Sequence, residues 1–205
     1  MHHLKIFITG CSGFVGQHLL NKVKNSNFNI GVLSKNEFLY DNVKSFVGDV
    51  TDFKTTRSAI LDFKPNVILH LAGSTSRSKK IEDLDISIDS NVKGTLNILK
   101  SIPELKDFKK LIVIGTAEEY GHNAAPFSEK IREAPVSCYS LSKTMQAHMV
   151  EMFSRSYGVP CILLRPGVIY GPGQNETMFL PSLICSLNKG KDFSMTSGNQ
   201  SRDFI

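Results

Sequence analysis

The chain has 205 residues, 41% hydrophobic and 21% charged, the balance of a soluble globular protein long enough for one sizeable core. Its net charge is +5, but the lysines and arginines are spread along the chain, which suits an anionic small molecule at least as well as nucleic acid. No apolar run approaches the ~20 residues of a membrane span, Met1-His2-His3-Leu4 lacks the basic region of a signal peptide, and the four cysteines and six histidines show no disulfide or metal spacing. These features point to a cytoplasmic protein with reduced thiols and no metal, membrane or nucleic-acid partner.

Strand-like and helix-like segments alternate. The apolar run from Leu4 to Thr9 ends at a glycine and predicts a buried strand. Phe14 to Val23 has apolar residues at helical spacing. Ile30 to Leu33 and Val43 to Val47 predict two further strands. Asp52 to Phe63 predicts a helix with Thr51 or Asp52 as its N-cap and Pro65 beyond its end. Val67 to Leu71 is the fourth strand, Ile86 to Ile102 a long helix stopped by Pro103, and Leu111 to Ile114 the fifth strand. Ser137 to Tyr157 is a helix with Gly158 at its C′ position. Cys161 to Leu164 is the sixth strand, and Phe179 to Leu187 one more helix. Such repeats predict a doubly wound parallel α/β sheet of the Rossmann type.

Thr9-Gly10-Cys11-Ser12-Gly13-Phe14-Val15-Gly16 joins the first strand to the first helix. Gly10 permits a tight turn, Gly13 lets backbone approach a pyrophosphate, and Gly16 lets the helix pack on the sheet. The helix start offers free N–H groups and a positive dipole end to phosphates. A dinucleotide is the expected ligand, although the spacing is one residue longer than Gly-x-Gly-x-x-Gly. The second strand ends Leu33-Ser34-Lys35 rather than in a carboxylate. A hydroxyl and a cation suit a 2′-phosphate, which favours NADP, while Glu37 close by keeps NAD open.

Tyr139 and Lys143 stand four residues apart, one turn apart on one helix face. A lysine ammonium beside the phenol lowers the tyrosine from its ordinary value of about 10 and makes it an acid/base near neutral pH.

Taken together, these motifs resemble the extended short-chain dehydrogenase/reductases, in the nucleotide-sugar epimerase/dehydratase branch. The resemblance runs from Lys5 to the end of the chain. It is carried by the glycine loop, Gly48-Asp49-Val50-Thr51-Asp52, His70-Leu71-Ala72-Gly73, Asn91-Val92-Lys93-Gly94-Thr95 and Thr116-Ala117-Glu118-Glu119-Tyr120-Gly121. Tyr139-x-x-x-Lys143, Arg165-Pro166-Gly167-Val168-Ile169-Tyr170-Gly171-Pro172-Gly173 and Gln200-Ser201-Arg202-Asp203-Phe204 complete it.

The resemblance implies an oxidoreductase acting at C4 of a nucleotide-diphosphate sugar. It places the cofactor against Gly10, Ser12, Gly13, Phe14, Val15, Gly16, Ser34, Lys35, Asp49, Val50, Leu71, Ala72, Gly73, Tyr139, Lys143, Pro166 and Val168. Thr116, Tyr139, Lys143 and Glu118 would be catalytic, and Ser74, Glu118 and Arg202 would meet the substrate. Glu118 sits where the family's 4,6-dehydratases carry a proton-abstracting glutamate, but 4-keto-sugar reductases also carry Glu-Glu-Tyr-Gly. Val168 departs from the asparagine common there. The NADP preference and the double glutamate lean toward a reductase or dehydratase, with a 4-epimerase as the alternative. A non-catalytic dinucleotide-binding or interaction protein is the alternative of another class. Residues 1–170 read as the dinucleotide-binding domain and 171–205 as only the start of a C-terminal substrate domain. Such a chain is expected to bind cofactor but to turn over sugar poorly. Relatives often pair through helices equivalent to Ile86–Ile102 and Ser137–Tyr157, so a homodimer is expected.

Overall fold

The structure is a computed structural model that describes residues 4–23, 25–40, 42–75, 80–198 and 201–205. Met1, His2, His3 and Gln200 of the motifs above lie outside the described residues. The chain divides into two compact units, Met1–Arg165 and Pro166–Ile205.

The first unit is built on six parallel strands, β1 (Lys5–Thr9), β2 (Asn29–Ser34), β3 (Val43–Val47), β4 (Val67–His70), β5 (Lys110–Ile114) and β6 (Cys161–Leu164). Their spatial order is β3-β2-β1-β4-β5-β6, so the winding reverses between β1 and β4, the crevice where such sheets bind dinucleotides. Between the strands run α1 (Phe14–Val23), α2 (Phe53–Phe63), α3 (Asp83–Ser87), α4 (Gly94–Ser101) and α5 (Cys138–Tyr157). Among the described residues no helix is long and apolar enough to cross a membrane.

β1 shows why these runs become central strands. Successive side chains point to opposite faces, and both faces of β1 are covered. Phe7 enters the core formed with Ile60, Phe63, Ile98 and Leu111, while Ile6 and Ile8 enter the one formed with Leu20, Ile30 and Val32. The second face is only partly covered, since Ile162 and Leu164 of β6 stay 41% and 46% exposed.

Local signals set the ends of the helices. Asp52, not Thr51, caps α2, its side chain accepting from the Lys54 N–H at 2.9 Å. Ser137 caps α5 through the Ser140 N–H, and Gly158 ends it in the left-handed region at φ 66°. The long helix expected over 86–102 differs from a uniform α-helix. It begins at Asp83, passes through a π-helical stretch at Ile88–Lys93 and resumes as α4. Pro103 does not stop it abruptly but sits in a closing 3₁₀ turn, Ile102–Glu104, where its missing N–H is harmless.

The second unit holds one helix, α6 (Phe179–Asn188). Within it Val168 pairs with Phe204 in an isolated parallel bridge, the Val168 N–H donating to the Asp203 carbonyl at 2.7 Å.

Gly16 seats α1 on the glycine loop: a Cβ there would overlap the Gly10 carbonyl oxygen and the Cys11 backbone. Gly16→Ala is therefore expected to destabilise the chain by about 1–3 kcal/mol, measured as a lower urea midpoint with unchanged slope.

Candidate active site

The carboxyl ends of β1, β4 and β5 meet at one edge of the sheet, and the expected site residues of the first unit lie there or on α5. Gly10 adopts φ 78°, the left-handed region, and a Cβ would lie 2.5 Å from the Ala72 amide nitrogen. Only glycine fits that turn. Ser12, Gly13 and Val15 are exposed, Phe14 is half-buried, and a Cβ on Gly13 would meet only the Gly10 carbonyl oxygen, at 3.3 Å. An exposed, bare backbone thus stands at the start of α1, where a helix leaves N–H groups without intrahelical partners, a cradle that fits a pyrophosphate. Cys11 is fully buried and burial pushes its thiol up to about 12. It is a packing residue, not a redox group.

Ser34 is half-buried and Lys35 exposed at the end of β2. Lys35 Nζ lies 2.9 Å from Asp49 Oδ2, so the expected phosphate cation has a carboxylate neighbour. Partial burial works against the Asp49 charge, but the Thr51 N–H and Lys35 outweigh it and hold the carboxyl below its ordinary range. Val50 is buried in the core, and its carbonyl accepts from Asn97 Nδ2 at 2.9 Å.

After β4, Leu71, Ala72 and Ser74 are half-buried and Gly73 is exposed. Asn91, buried in the π-helical stretch, clasps this segment. Its Oδ1 accepts from the Ser74 N–H at 2.9 Å, and its Nδ2 donates to the Ser74 carbonyl at 3.2 Å and to Ser142 Oγ at 2.8 Å.

Thr116 follows β5 and caps a 3₁₀ turn, Ala117–Tyr120. Its Oγ1 accepts from the Glu118 N–H at 3.2 Å, which leaves the hydroxyl proton available. The two glutamates then part company. Glu118 is half-buried at the edge. Glu119 is fully buried: Oε1 accepts from the Thr116 N–H at 2.8 Å and Oε2 from Arg165 Nε at 2.7 Å. Arg165 also donates to Glu133 Oε1 at 2.6 Å and to the Tyr120 hydroxyl at 3.0 Å. Glu119 is therefore a structural anchor that fixes the backbone of Thr116.

Tyr139 and Lys143 are both buried on α5, at 8% and 6% exposure, so their shared face points inward. Lys143 Nζ donates to the Ile114 carbonyl at 2.9 Å and to Gln146 Oε1 at 3.0 Å. An ammonium has three N–H donors, so one remains uncommitted among the described residues. Burial pulls this lysine down to about 8, against the attraction of Glu119.

Behind Lys143 runs a closed chain of buried hydrogen bonds. Gln146 Nε2 donates to Thr95 Oγ1 at 2.6 Å, and the Thr95 hydroxyl donates to the Asn91 carbonyl at 2.6 Å. The Thr95 proton being spent, His70 Nε2 at 2.9 Å must carry its own proton toward Thr95. Burial drives His70 down to about 3, so it is neutral and its Nδ1 accepts from Thr9 Oγ1 at 2.7 Å.

In the second unit Pro166 and Val168 are half-buried and Arg202 is exposed, its Nη1 donating to the Ser201 carbonyl at 2.9 Å.

The model of the NAD dependent epimerase/dehydratase family matches residues 6–205. The chain belongs to that family. It is 29% identical to dTDP-D-glucose 4,6-dehydratase of Dictyostelium discoideum, over 98% of this chain and 52% of that protein. The crystal structure of UDP-glucose 4-epimerase with UDP-glucose from Thermotoga maritima superposes with a TM-score of 0.89 at 23% identity, over 98% of this chain and 69% of that one. The Bordetella bronchiseptica enzyme WbmG in complex with NAD gives 0.86 at 25%, over 100% and 65%. The chain thus spans about half to two thirds of the length of these relatives.

Sequence reading named Glu119, Arg165, Asn91, Thr95 and His70 as members of motifs without giving them a place in a buried network, and it did not single out Glu133 or Gln146. The signal for the set behind Lys143 was present as Asn91, Thr95 and Gln146 on the inward face of helical segments and as His70 at the end of a buried strand.

Glu119→Gln keeps an acceptor for the Thr116 N–H but removes the charge. It should destabilise by about 3 kcal/mol, the low end for breaking a buried ion pair, because Glu133 stays on Arg165. Glu133 gives a pH test. Burial opposes its charge, but its backbone hydrogen bond and Arg165 prevail and hold its carboxyl below the ordinary range. The stability it adds is present above the unfolded glutamate pKa and is lost as pH falls through the lower folded value. The denaturation difference between wild type and Glu133→Gln should shrink to nothing over that acid window.

Proposed function

We propose that the chain is the cofactor-binding part of an enzyme that oxidises or reduces C4 of a nucleotide-diphosphate sugar with a nicotinamide dinucleotide. The observation that carries this reading is a nearly buried Lys143 with one N–H uncommitted among the described residues, on the inward face shared with Tyr139 and at the strand edge that leads into Thr116. The bare Gly13 backbone supports the cofactor assignment. When bound, the nicotinamide supplies a hydride acceptor or donor.

The chain's own groups then do the rest. The Tyr139 phenolate takes the proton of the sugar hydroxyl, or its phenol returns one to a ketone. Lys143 stabilises the phenolate and holds the nicotinamide ribose. The Thr116 hydroxyl donates to the reacting oxygen and orients it. Ser12, Phe14, Val15 and Gly16 at the α1 start hold the pyrophosphate, and Leu71, Ala72, Gly73, Pro166 and Val168 line the cofactor. Ser74 contacts the sugar, and the Arg202 guanidinium grips the diphosphate. Glu118 is the candidate to abstract a sugar proton in a 4,6-dehydratase, since Glu119 is already bonded to Arg165 and the Thr116 N–H. A 4-keto-sugar reductase or dehydratase is favoured over a 4-epimerase on Glu118 and on Ser34-Lys35, whose cation points to NADP. A second copy of the chain is the proposed partner, since Leu141, Met145 and Met152 form an exposed apolar stripe on α5.

Tyr139→Phe should lower turnover by about 10²–10⁴-fold while NADPH binding, followed by fluorescence, stays near wild type. Product analysis by NMR with GDP-, UDP-, CDP- and dTDP-hexoses identifies the reaction. Tighter binding of NADH than of NADPH would refute the NADP preference, and no product from any hexose by the full-length protein would refute the enzyme reading.

A further inference from the structure

We propose that Gln146 is a positioning residue for Lys143: its side-chain carbonyl holds the ammonium without neutralising it, and the chain through Thr95, His70 and Thr9 locks that carbonyl in place. The proposal rests on the reading of Lys143 given above for its catalytic meaning, but its physical content stands apart from it.

The orientation of the Gln146 amide is forced. Its Oε1 lies 3.0 Å from Lys143 Nζ, which can only donate, so the NH₂ group must face the other way. There Nε2 meets Thr95 Oγ1 at 2.6 Å, and that hydroxyl can accept because its proton goes to the Asn91 carbonyl. His70 Nε2–H converges on the same oxygen, and His70 is in turn fixed by Thr9, whose hydroxyl also accepts from the Ala72 N–H at 3.3 Å. Gln146, His70, Thr95 and Thr9 are essentially fully buried. Flipping the amide would set donor against donor at Lys143 and acceptor against acceptor at Thr95. The chain therefore has one self-consistent arrangement, and it ends on Lys143.

The chemical identity of the acceptor matters. A carboxylate at position 146 would pair with the ammonium and consume the charge that the Tyr139 phenolate needs. The amide offers the same oxygen at the same reach without a charge. The groups that face Lys143 from the neighbouring elements are consistent with this. Glu119, in the turn after β5, attracts it but is already bonded to Arg165 and the Thr116 N–H. His70 on β4 is neutral, Asn91 and Thr95 carry no charge, and Tyr139 shares its helix.

The test is a direct titration of Lys143 in the whole chain. The ε-carbon NMR signals of lysine are followed against pH, and the Lys143 signal is assigned by Lys143→Arg. Gln146→Glu should raise the midpoint by about one pH unit or more, as expected for an opposite charge within bonding distance. Gln146→Met, of similar volume and uncharged, should lower the midpoint because the ammonium loses an acceptor. It keeps the proposal testable if the glutamate variant fails to fold. Circular dichroism and thermal unfolding identify the folded variants. A wild-type midpoint in either folded variant overturns the proposal. NADPH titration of the same proteins separates the two claims: a midpoint that moves in a chain that binds no dinucleotide would sink the functional reading and leave the role of Gln146 intact.

Discussion

An ammonium held inside a protein is the constraint around which this sheet edge is organised. A buried charge is tolerated only when its hydrogen bonds are met, and the unit does so in two contrasting ways. Arg165 receives two carboxylates, from Glu119 and Glu133, and its charge is locally cancelled. Among the described residues Lys143 bonds to neutral oxygens, those of Ile114 and Gln146, and its charge is not. The first arrangement is a rivet between the segment after β5 and the end of β6. The second leaves an electrostatic potential directed at whatever phenol or ribose comes near. The two cations sit close enough to share Glu119 as an influence, yet only one is free to act.

The apolar core and the polar chain are layered rather than mixed. Phe7, Ile68 and Leu111 fill the middle of the sheet, while Thr9, His70 and the Ile114 carbonyl stand at the ends of the same three strands. One parallel register thus delivers three consecutive strand ends to one level. The polar groups need one another there, since each would otherwise be a desolvated donor or acceptor. That mutual dependence makes the site rigid without any contribution from a ligand.

Much of this was legible from the chain. β3, β6 and α1 fall on the residues expected, because short runs rich in apolar and β-branched residues and a helical repeat beside glycines are clear local signals, even though β3 and β6 are partly exposed edge strands. The glycine loop and the Tyr139–Lys143 pair were also readable, since each is local. What escaped notice is non-local. Glu118 and Glu119 are the same residue type side by side, and only Arg165, distant in sequence, decides which of them is buried. Gln146 sits in a helix with many polar residues, where pattern alone assigns it to solvent. The π-helical stretch leaves no periodic trace, so a broken helix read as a straight one.

That stretch, Ile88–Lys93, has a consequence for how the chain can change. A π turn holds one residue more than an α turn. Deleting one residue there would let the helix close into regular α geometry with its two sides still in phase, whereas deleting one residue from α4 would turn the two sides by about 100° relative to each other. Asn91 could then keep Ser74 and Ser142, or Ile98 and Leu99 could keep the core, but not both. The extra residue is taken up inside the wide turn, which leaves the segment that holds Ser74 and Ser142 in phase with the one that packs on the sheet. Substitutions on the outer side of the stretch should be tolerated, and changes of length in α4 should not.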